Sequence, residues 1–279
     1  MSATACRAVL NDADIMTASN AGLILSRYLS IPVEDEDKKH PKERKRLYKA
    51  AVLACGKAAS TVYKHAFKRR LDLITAGMEQ MNCHVQSRLI VGLGSESVLE
   101  TGIALHHTYG VPIIPGSALK GLTSHFCHTV WGEKDQEFKA FFECGKDKDG
   151  KPVLRQGNYH RVLFGGNENS PEENDTAGSI IFHDAWICPD SLPRKTNTEI
   201  NFSEHQDGLV LDIMTPHHTE YYGGGSVPPS DFDDPIPISF LSVTGEFHFA
   251  ISYRKTESVI SGEEAKWTKL AMEFLTLAL

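Results

Sequence analysis

The stretch I-P-G-S-A-L-K-G at residues 114–121 decides how the chain is read. Pro115, Gly116 and Ser117 have the form of a helix entry, with Ser117 as an N-cap accepting from a first-turn N–H. Lys120 then falls near the third helical position, beside the positive end of the helix dipole, where a cation is disfavoured. Gly121 lies within the first turns, at a cost of about 1 kcal/mol relative to Ala. One bound anion accounts for both oddities. A phosphate at the helix start would accept from free N–H groups and the Ser117 hydroxyl, Lys120 would supply counter-charge, and the glycines would admit close backbone approach. The plain alternative is a Ser-capped helix whose Lys120 points into water.

On either side of this helix entry the pattern is mixed. Residues 4–29 and 42–80 read as helical. In the second, Leu47, Ala51, Ala54, Ala58, Val62 and Ala66 recur at spacings of three and four, which predicts one apolar stripe against a core. From residue 85 onward the character changes. V-Q-S-R-L-I-V-G-L predicts a buried strand, and the helix signals of G-S-A-L-K-G-L-T-S-H-F-C-H-T-V-W-G are followed by a short helix around D-Q-E-F-K-A-F-F-E-C-G. The acidic run at 165–177 has no apolar periodicity and predicts a mobile loop. G-S-I-I-F-H-D-A-W-I, G-L-V-L-D-I-M and G-E-F-H-F-A-I-S-Y predict strands. In the last, Phe247, Phe249, Ile251 and Tyr253 alternate with smaller or polar residues, as in a half-buried strand. An amphipathic helix over 262–278 closes an α+β domain that carries a helical extension in front. The polar segment from Cys188 to Gln206 suits a projecting hairpin, and 215–237 is a long Gly- and Pro-rich loop.

Composition narrows the function classes. With 279 residues, 41% apolar and 23% charged, the chain can bury a sizeable core. It has neither an apolar run of membrane-spanning length nor a signal-peptide core, so a cytoplasmic protein is expected. Six scattered cysteines without a C-x-x-C pair predict reduced thiols. The net charge of −7 argues against nucleic acid, yet twelve Lys or Arg and one acid, Glu43, fall between Lys38 and Arg70. That segregation reads either as a basic face for a polyanion or acidic neighbour, or as a solvated helix face.

Common catalytic motifs fail one by one. G-L-G-S-E-S at 92–97 lacks the third glycine and the following helix of a dinucleotide-binding turn. No phosphate-binding Walker loop and no G-x-S-x-G elbow occurs. The histidine pairs His106-His107 and His217-His218 point apart on an extended chain, and His125 and His128 have no carboxylate placed beside them by spacing. No metal and no cofactor is expected.

P-G-S-x-x-K-G before a helix, then R-V-L-F-G-G (161–166) and G-S-I-I-F-H-D-A-W (178–186), resembles the RAMP superfamily of CRISPR proteins. L-D-I-M-T-P-H-H-T-E-Y-Y (211–222) followed by P-I-P-I-S-F-L-S-V (235–243) resembles the terminal, backbone-type subunits of the type III-B, or Cmr, effector complexes, the sixth, head-end kind. The likeness spans about residues 85–279; residues 1–84 match only in being helical and basic. It implies a modified ferredoxin-like (RRM-like) core over 85–279 behind the extension of 1–84. It also implies a thumb-like insertion at about 188–206 that enters the guide–target duplex. The function implied is a non-catalytic RNA-binding subunit that holds the 3′ part of the CRISPR RNA in antiviral defence. Gly116, Ser117, Lys120 and Gly121 would touch RNA phosphates, and Arg194 and Lys195 would act on the thumb. Partners implied are CRISPR RNA, target RNA, the repeated backbone subunit, the small helical subunit and the head-capping RAMP. Target-cleaving backbone subunits carry an Asp between the first strand and the P-G-S helix. Residues 85–116 hold Glu96 and Glu100 but no Asp, so no ribonuclease activity is expected. Members usually continue into a Gly-rich loop and a final strand, so the stop at Leu279 reads as truncation. The competing function is an RNA-processing endonuclease using His106, His107, His217 or His218 as acid or base.

Overall fold

The basic N-terminal stretch does not form the single helix expected over 42–80. In the computed structural model helix α1 (Ala21–Arg27) precedes α2 (His40–Ser60) and α3 (Val62–Leu73), with a break at Thr61. Residues 14–29, 40–74, 78–95, 97, 99, 101–169, 177–192, 208–215, 219–226, 228–230, 237–254 and 263–279 are described. The break has a local cause. Ser60 Oγ and Thr61 Oγ1 donate to the Lys57 carbonyl at 3.1 and 2.9 Å, so hydroxyls take over what the next turn would have bonded. The stripe is also broader than its spacing suggests. Every described residue from Ala50 to Ala59 except Lys57 is buried, whereas Val62, past the break, is 63% exposed. Ala50, Ala51, Ala54, Ala58 and Ala59 are all buried, on more than one face of the helix.

The rest of the order is strands β1 (Glu79–His84) and β2 (Ile113–Ile114), helix α4 (Gly116–Phe126), strands β3 (Phe142–Lys146) and β4 (Pro152–Arg155), and helix α5 (Asn158–Phe164). Then follow β5 (Ile180–Phe182), β6 (Ala185–Ile187), β7 (Gly208–Met214), helix α6 (Thr219–Tyr222), β8 (Ile238–Thr244), β9 (Glu246–Tyr253) and α7 (Glu263–Ala278). The first strand is thus E-Q-M-N-C-H, whose first two residues fall in the stretch expected to be helix. V-Q-S-R-L-I-V-G-L, expected to be a strand, contributes only a bridge from Leu89 to Val243. The short helix expected near D-Q-E-F is a 3-10 turn at Gln136–Phe138 capped by Asp135, and F-E-C-G-K beyond it is strand.

The chain divides into two units. The first comprises Met1–Phe67, His84–Ile113 and Ile187–Glu246; the second comprises Lys68–Cys83, Ile114–Trp186 and Phe247–Leu279. In the first, α1 packs on α2, and α2 packs on the antiparallel ladder of β7 and β8, which runs in register from Gly208↔Thr244 to Met214↔Ile238. Tyr48, buried on α2, donates to the Ser239 carbonyl at 3.1 Å, tying helix to ladder.

The second unit is built around the sheet β1-β9-β6-β2, with β5 also pairing antiparallel to β9. Helices α4 and α7 lie against each other and against β5. Leu119 and Thr123 on α4, Cys127 just after it, and Ala271, Phe274 and Leu275 on α7 are all buried. β9 is not half-buried as its alternation predicts: Phe247 through Ile251 are all buried, because the His248 side is covered as well as the phenylalanine side. β3 and β4 pair as a hairpin with almost every residue exposed and a bulge between Glu143 and Gly145. The ends of the acidic loop are held: Gly165 bridges Ala177, and Asn169 accepts from Gln156 N–H at 2.8 Å. The segment 170–176 lies outside the described residues.

Candidate nucleic-acid interface

The start of α4 has two sides with different accounts. Pro115 is the N-cap, with φ −58° and ψ 138°, and no side chain caps the helix end through Ser117 as expected. Gly116 is therefore the first helical residue, and Lys120 sits one position into the second turn. The dipole penalty at Lys120 is smaller than the sequence spacing implies, because the effect decays within the first turn.

On the buried side, the chain supplies its own anion. Gly116 N–H donates to Asp184 Oδ1 at 2.8 Å, placing a carboxylate at the positive end of the helix. A Cβ on Gly116 would collide with the Phe182 carbonyl oxygen. The glycine of this motif is thus required by the approach of the turn between β5 and β6. Around Asp184 a polar cluster continues. Arg70 Nη2 donates to the Asp184 carbonyl at 2.7 Å, its Nη1 lies 2.6 Å from His248 Nδ1, and its guanidinium lies over the Trp186 ring, 5.2 Å from the centroid. His248 Nε2 is 3.0 Å from Gln80 Oε1. Arg70 can only donate, so Nδ1 is the acceptor and the His248 proton is on Nε2. Burial, and then the Arg70 charge, hold its pKa down at about 4. Burial and Arg70 also lower that of His183, whose Nε2 meets Ser252 Oγ at 2.8 Å.

On the exposed side nothing in the described chain consumes the motif. Ser117 is exposed, and among the described residues neither its N–H nor its hydroxyl has a partner. Lys120 is half-buried, and a Cβ at Gly121 would meet nothing within 4 Å. The expensive glycine is therefore not explained by packing. Ser117, Lys120 and Gly121 share this open stretch of α4; Arg194 and Lys195, with most of the expected thumb segment, lie outside the described residues.

Further along α4, Ser124 Oγ lies 2.9 Å from His160 Nε2, and His160 Nδ1 lies 2.9 Å from Gln156 Nε2. This looks like a nucleophile and base, but the tautomer is wrong. Gln156 Nε2 also donates to the Gly165 carbonyl at 2.8 Å, so it faces His160 as a donor and leaves the ring proton on Nε2, toward Ser124. Burial, with the nearby His128 and Lys120, depresses the His160 pKa to about 4. The group is a neutral structural link between α4 and α5. His128 Nδ1 accepts from Ala140 N–H at 3.2 Å, and its pKa is lowered by burial and by Lys139 and His125.

The other expected histidines divide similarly. His106 Nδ1 accepts the Thr108 N–H at 3.2 Å and its ring lies 4.6 Å from that of Tyr109, so one ring nitrogen is committed to the turn. His107 is exposed; His217, His218, Glu96 and Glu100 lie outside the described residues. Among the described residues no group of three or more His, Cys, Asp or Glu is arranged to hold a metal. Cys55, Cys83, Cys127, Cys144 and Cys188 are free thiols, those of Cys55 and Cys127 pushed up by burial.

The basic run is not one face. Arg46 pairs with Glu43 at 3.1 Å, Lys57 donates to the Met16 carbonyl, and Arg70 belongs to the Asp184 cluster. Lys45, Lys64, Lys68 and Arg69 remain exposed. Sequence reasoning missed Asp184, Arg70 and His248. In sequence Asp184 falls inside G-S-I-I-F-H-D-A-W-I, read as one strand; the structure breaks that run into β5 and β6 with Asp184 in the turn between them, and pairing it with a helix start needs the fold.

Comparison with known proteins places this geometry in a family. Residues 82–276 match the model of the RAMP superfamily. The chain belongs to that superfamily. It is also 33% identical over 225 residues to "CRISPR system Cmr subunit Cmr6" of Pyrococcus furiosus (strain ATCC 43587 / DSM 3638 / JCM 8422 / Vc1), covering 70% of this chain. The chain spans 60% of the length of that curated relative. Among solved structures it is similar to a chain of the type III-B Cmr-beta complex bound to cognate target RNA, with TM-score 0.46, 16% identity, and coverage of 96% of this chain and 82% of that one. The crystal structure of Cmr6 from Pyrococcus furiosus matches with TM-score 0.33 and 28% identity over 74% of this chain and 91% of that one. The RAMP match ends at residue 276, within α7, and begins at residue 82, within β1.

Proposed function

We propose that this RAMP protein is a non-catalytic RNA-binding subunit of a type III-B CRISPR ribonucleoprotein. In that role it holds the 3′ part of the CRISPR RNA, assists guide–target pairing, and docks on the other Cmr subunits in a cytoplasmic particle. The observation that carries the reading is the family match over residues 82–276 together with the identity to Cmr6. The sheet with α4 and α7 packed against β5 supports a modified ferredoxin-like core, and the segment around Arg194 and Lys195 would form the thumb.

At the phosphate contact the residues would act differently from one another. Gly116 shapes the turn and lends no free donor, because Asp184 already accepts its N–H. Ser117 offers an N–H and a hydroxyl, Lys120 a charge, and Gly121 an unobstructed approach. Such contacts position RNA and carry no sequence information, so guide sequence should not matter. Absence of turnover fits the committed tautomer of His160 and the engaged Nδ1 of His106. No helix among the described residues is long and apolar enough to cross a membrane.

Residue-resolved RNA–protein crosslinking in the particle purified with its partners tests the reading. Crosslinks at Ser117–Gly121 and at 194–195 are expected. Crosslinks confined to other segments, or release of RNA fragments by the purified chain, would reverse it.

A further inference from the structure

Within the first unit a cavity of about 820 Å³ opens between α1 and the segment 95–108. Its size falls in the roughly 300–1,000 Å³ range of small-molecule sites. One wall, Asn20 to Arg27, precedes the residues that the RAMP model matches. The walls are held in place. Asn20 caps α1 through Leu23 N–H at 2.9 Å and donates to the carbonyls of His107 and Thr108, each at 3.1 Å. Gly110, at φ +62°, leaves no room for a Cβ beside Ala21 N, so the 106–110 turn is pressed onto the helix start.

The lining hydroxyls separate into two classes. Ser26 donates to the Gly22 carbonyl at 2.8 Å, Ser95 to that of Gly92 at 2.5 Å, and Thr101 lies 3.2 Å from the Tyr48 hydroxyl. These are spent on the fold. Ser97 Oγ accepts from Leu99 N–H at 3.2 Å and keeps its proton. Among the described residues the side chains of Arg27, His107 and Thr108 have no hydrogen-bond partner. The uncommitted groups therefore all can donate, one carries a fixed positive charge, and no carboxylate lines the cavity among the described residues. Leu23, Ile103 and Leu105 add apolar surface beside them.

We infer that this cavity binds a phosphorylated nucleoside, with Arg27, Ser97, His107 and Thr108 around the phosphate and the aliphatic side chains against the flat base. A free nucleotide and a nucleotide within RNA share this chemistry. Its lining shares no residue with the α4 start, and it stands or falls apart from the function proposed above.

Titration calorimetry of the full chain with adenosine 5′-monophosphate, adenosine and a 5′-phosphorylated hexaadenylate tests the assignment. The monophosphate should bind, and adenosine should bind about tenfold more weakly or worse. Arg27→Ala should cost about tenfold or more, Arg27→Lys should restore part of that, and His107→Ala should cost about threefold. Tighter binding of the hexaadenylate than of the monophosphate, lost on Arg27→Ala, assigns the site to RNA, and tighter binding of the monophosphate assigns it to a free nucleotide. The inference is overturned if nothing binds at about 1 mM, if adenosine matches the monophosphate, or if Arg27→Ala has no effect.

Discussion

The two sides of the α4 entry differ in what they need from outside the chain. On the buried side, Gly116, Asp184, Phe182 and Arg70 complete one another: the glycine admits the Phe182 carbonyl, the aspartate satisfies the helix start, and the arginine braces the aspartate from behind. On the exposed side, Ser117, Lys120 and Gly121 are left without a described partner or a packing reason. One seven-residue motif thus contains a fold determinant and an open, unpartnered surface, and only the second still needs an explanation. Substitutions on the two sides should behave in opposite ways.

The largest effect is expected at Gly116. Gly116→Ala forces a Cβ into the Phe182 carbonyl, and an overpacking penalty of about 2 kcal/mol or more should appear as a lower urea midpoint. An unchanged midpoint would mean that the turn between β5 and β6 yields easily, and the contrast between the two sides would weaken. Acid should act on the same side. His160 and His248 are held neutral by burial, with pKa values near 4, below the ordinary value of 6.5. For such groups the unfolded chain takes up protons first, so stability is complete above about pH 6.5 and declines as pH falls toward 4. Thermal unfolding between pH 7 and pH 4.5 should show that decline, and His160→Gln, which cannot gain charge, should flatten it. A slope identical to that of the parent chain would remove His160 from the account.

How much of this could be read beforehand follows from the range of the interactions. The α4 helix, the β7 and β9 strands and α7 carry their periodicity locally and were legible. The strand E-Q-M-N-C-H was not, because its neighbours supply a helical pattern up to Leu73 and only pairing in the sheet selects extended backbone there. The hairpin of β3 and β4 could have been found. D-K-D-G-K, with Asp147 accepting from Asp149 and Lys151 N–H and Gly150 at φ +76°, is a turn between two short β-compatible runs. The aromatic run before it suggested a helix instead. At the site, Lys120 and Gly121 stood out because they violate local helix rules, and Ser117 because it stands at the helix entry. Asp184 and Arg70 violate none, and their importance arises from contacts 68 and 114 residues apart in sequence.

Gly121→Ala sharpens the comparison from the other side. With open space at its Cβ position, the substitution should raise stability by up to about 1 kcal/mol through helix propensity while weakening retention of guide RNA in the assembled particle. Chemical denaturation and filter binding of the same preparation read both quantities. Loss of stability would show that Gly121 serves the fold, and unchanged RNA retention would leave this glycine without a ligand role.

The central claim is that the exposed side of this helix entry holds a phosphate, and the salt dependence of RNA binding tests it most directly. The chain assembled on guide RNA with its partners should lose affinity linearly in log–log form as salt rises. Lys120→Ala should reduce that slope by about 0.7, the value for one phosphate contact on a single strand, at unchanged folding stability. A slope equal to that of the parent chain would contradict the account.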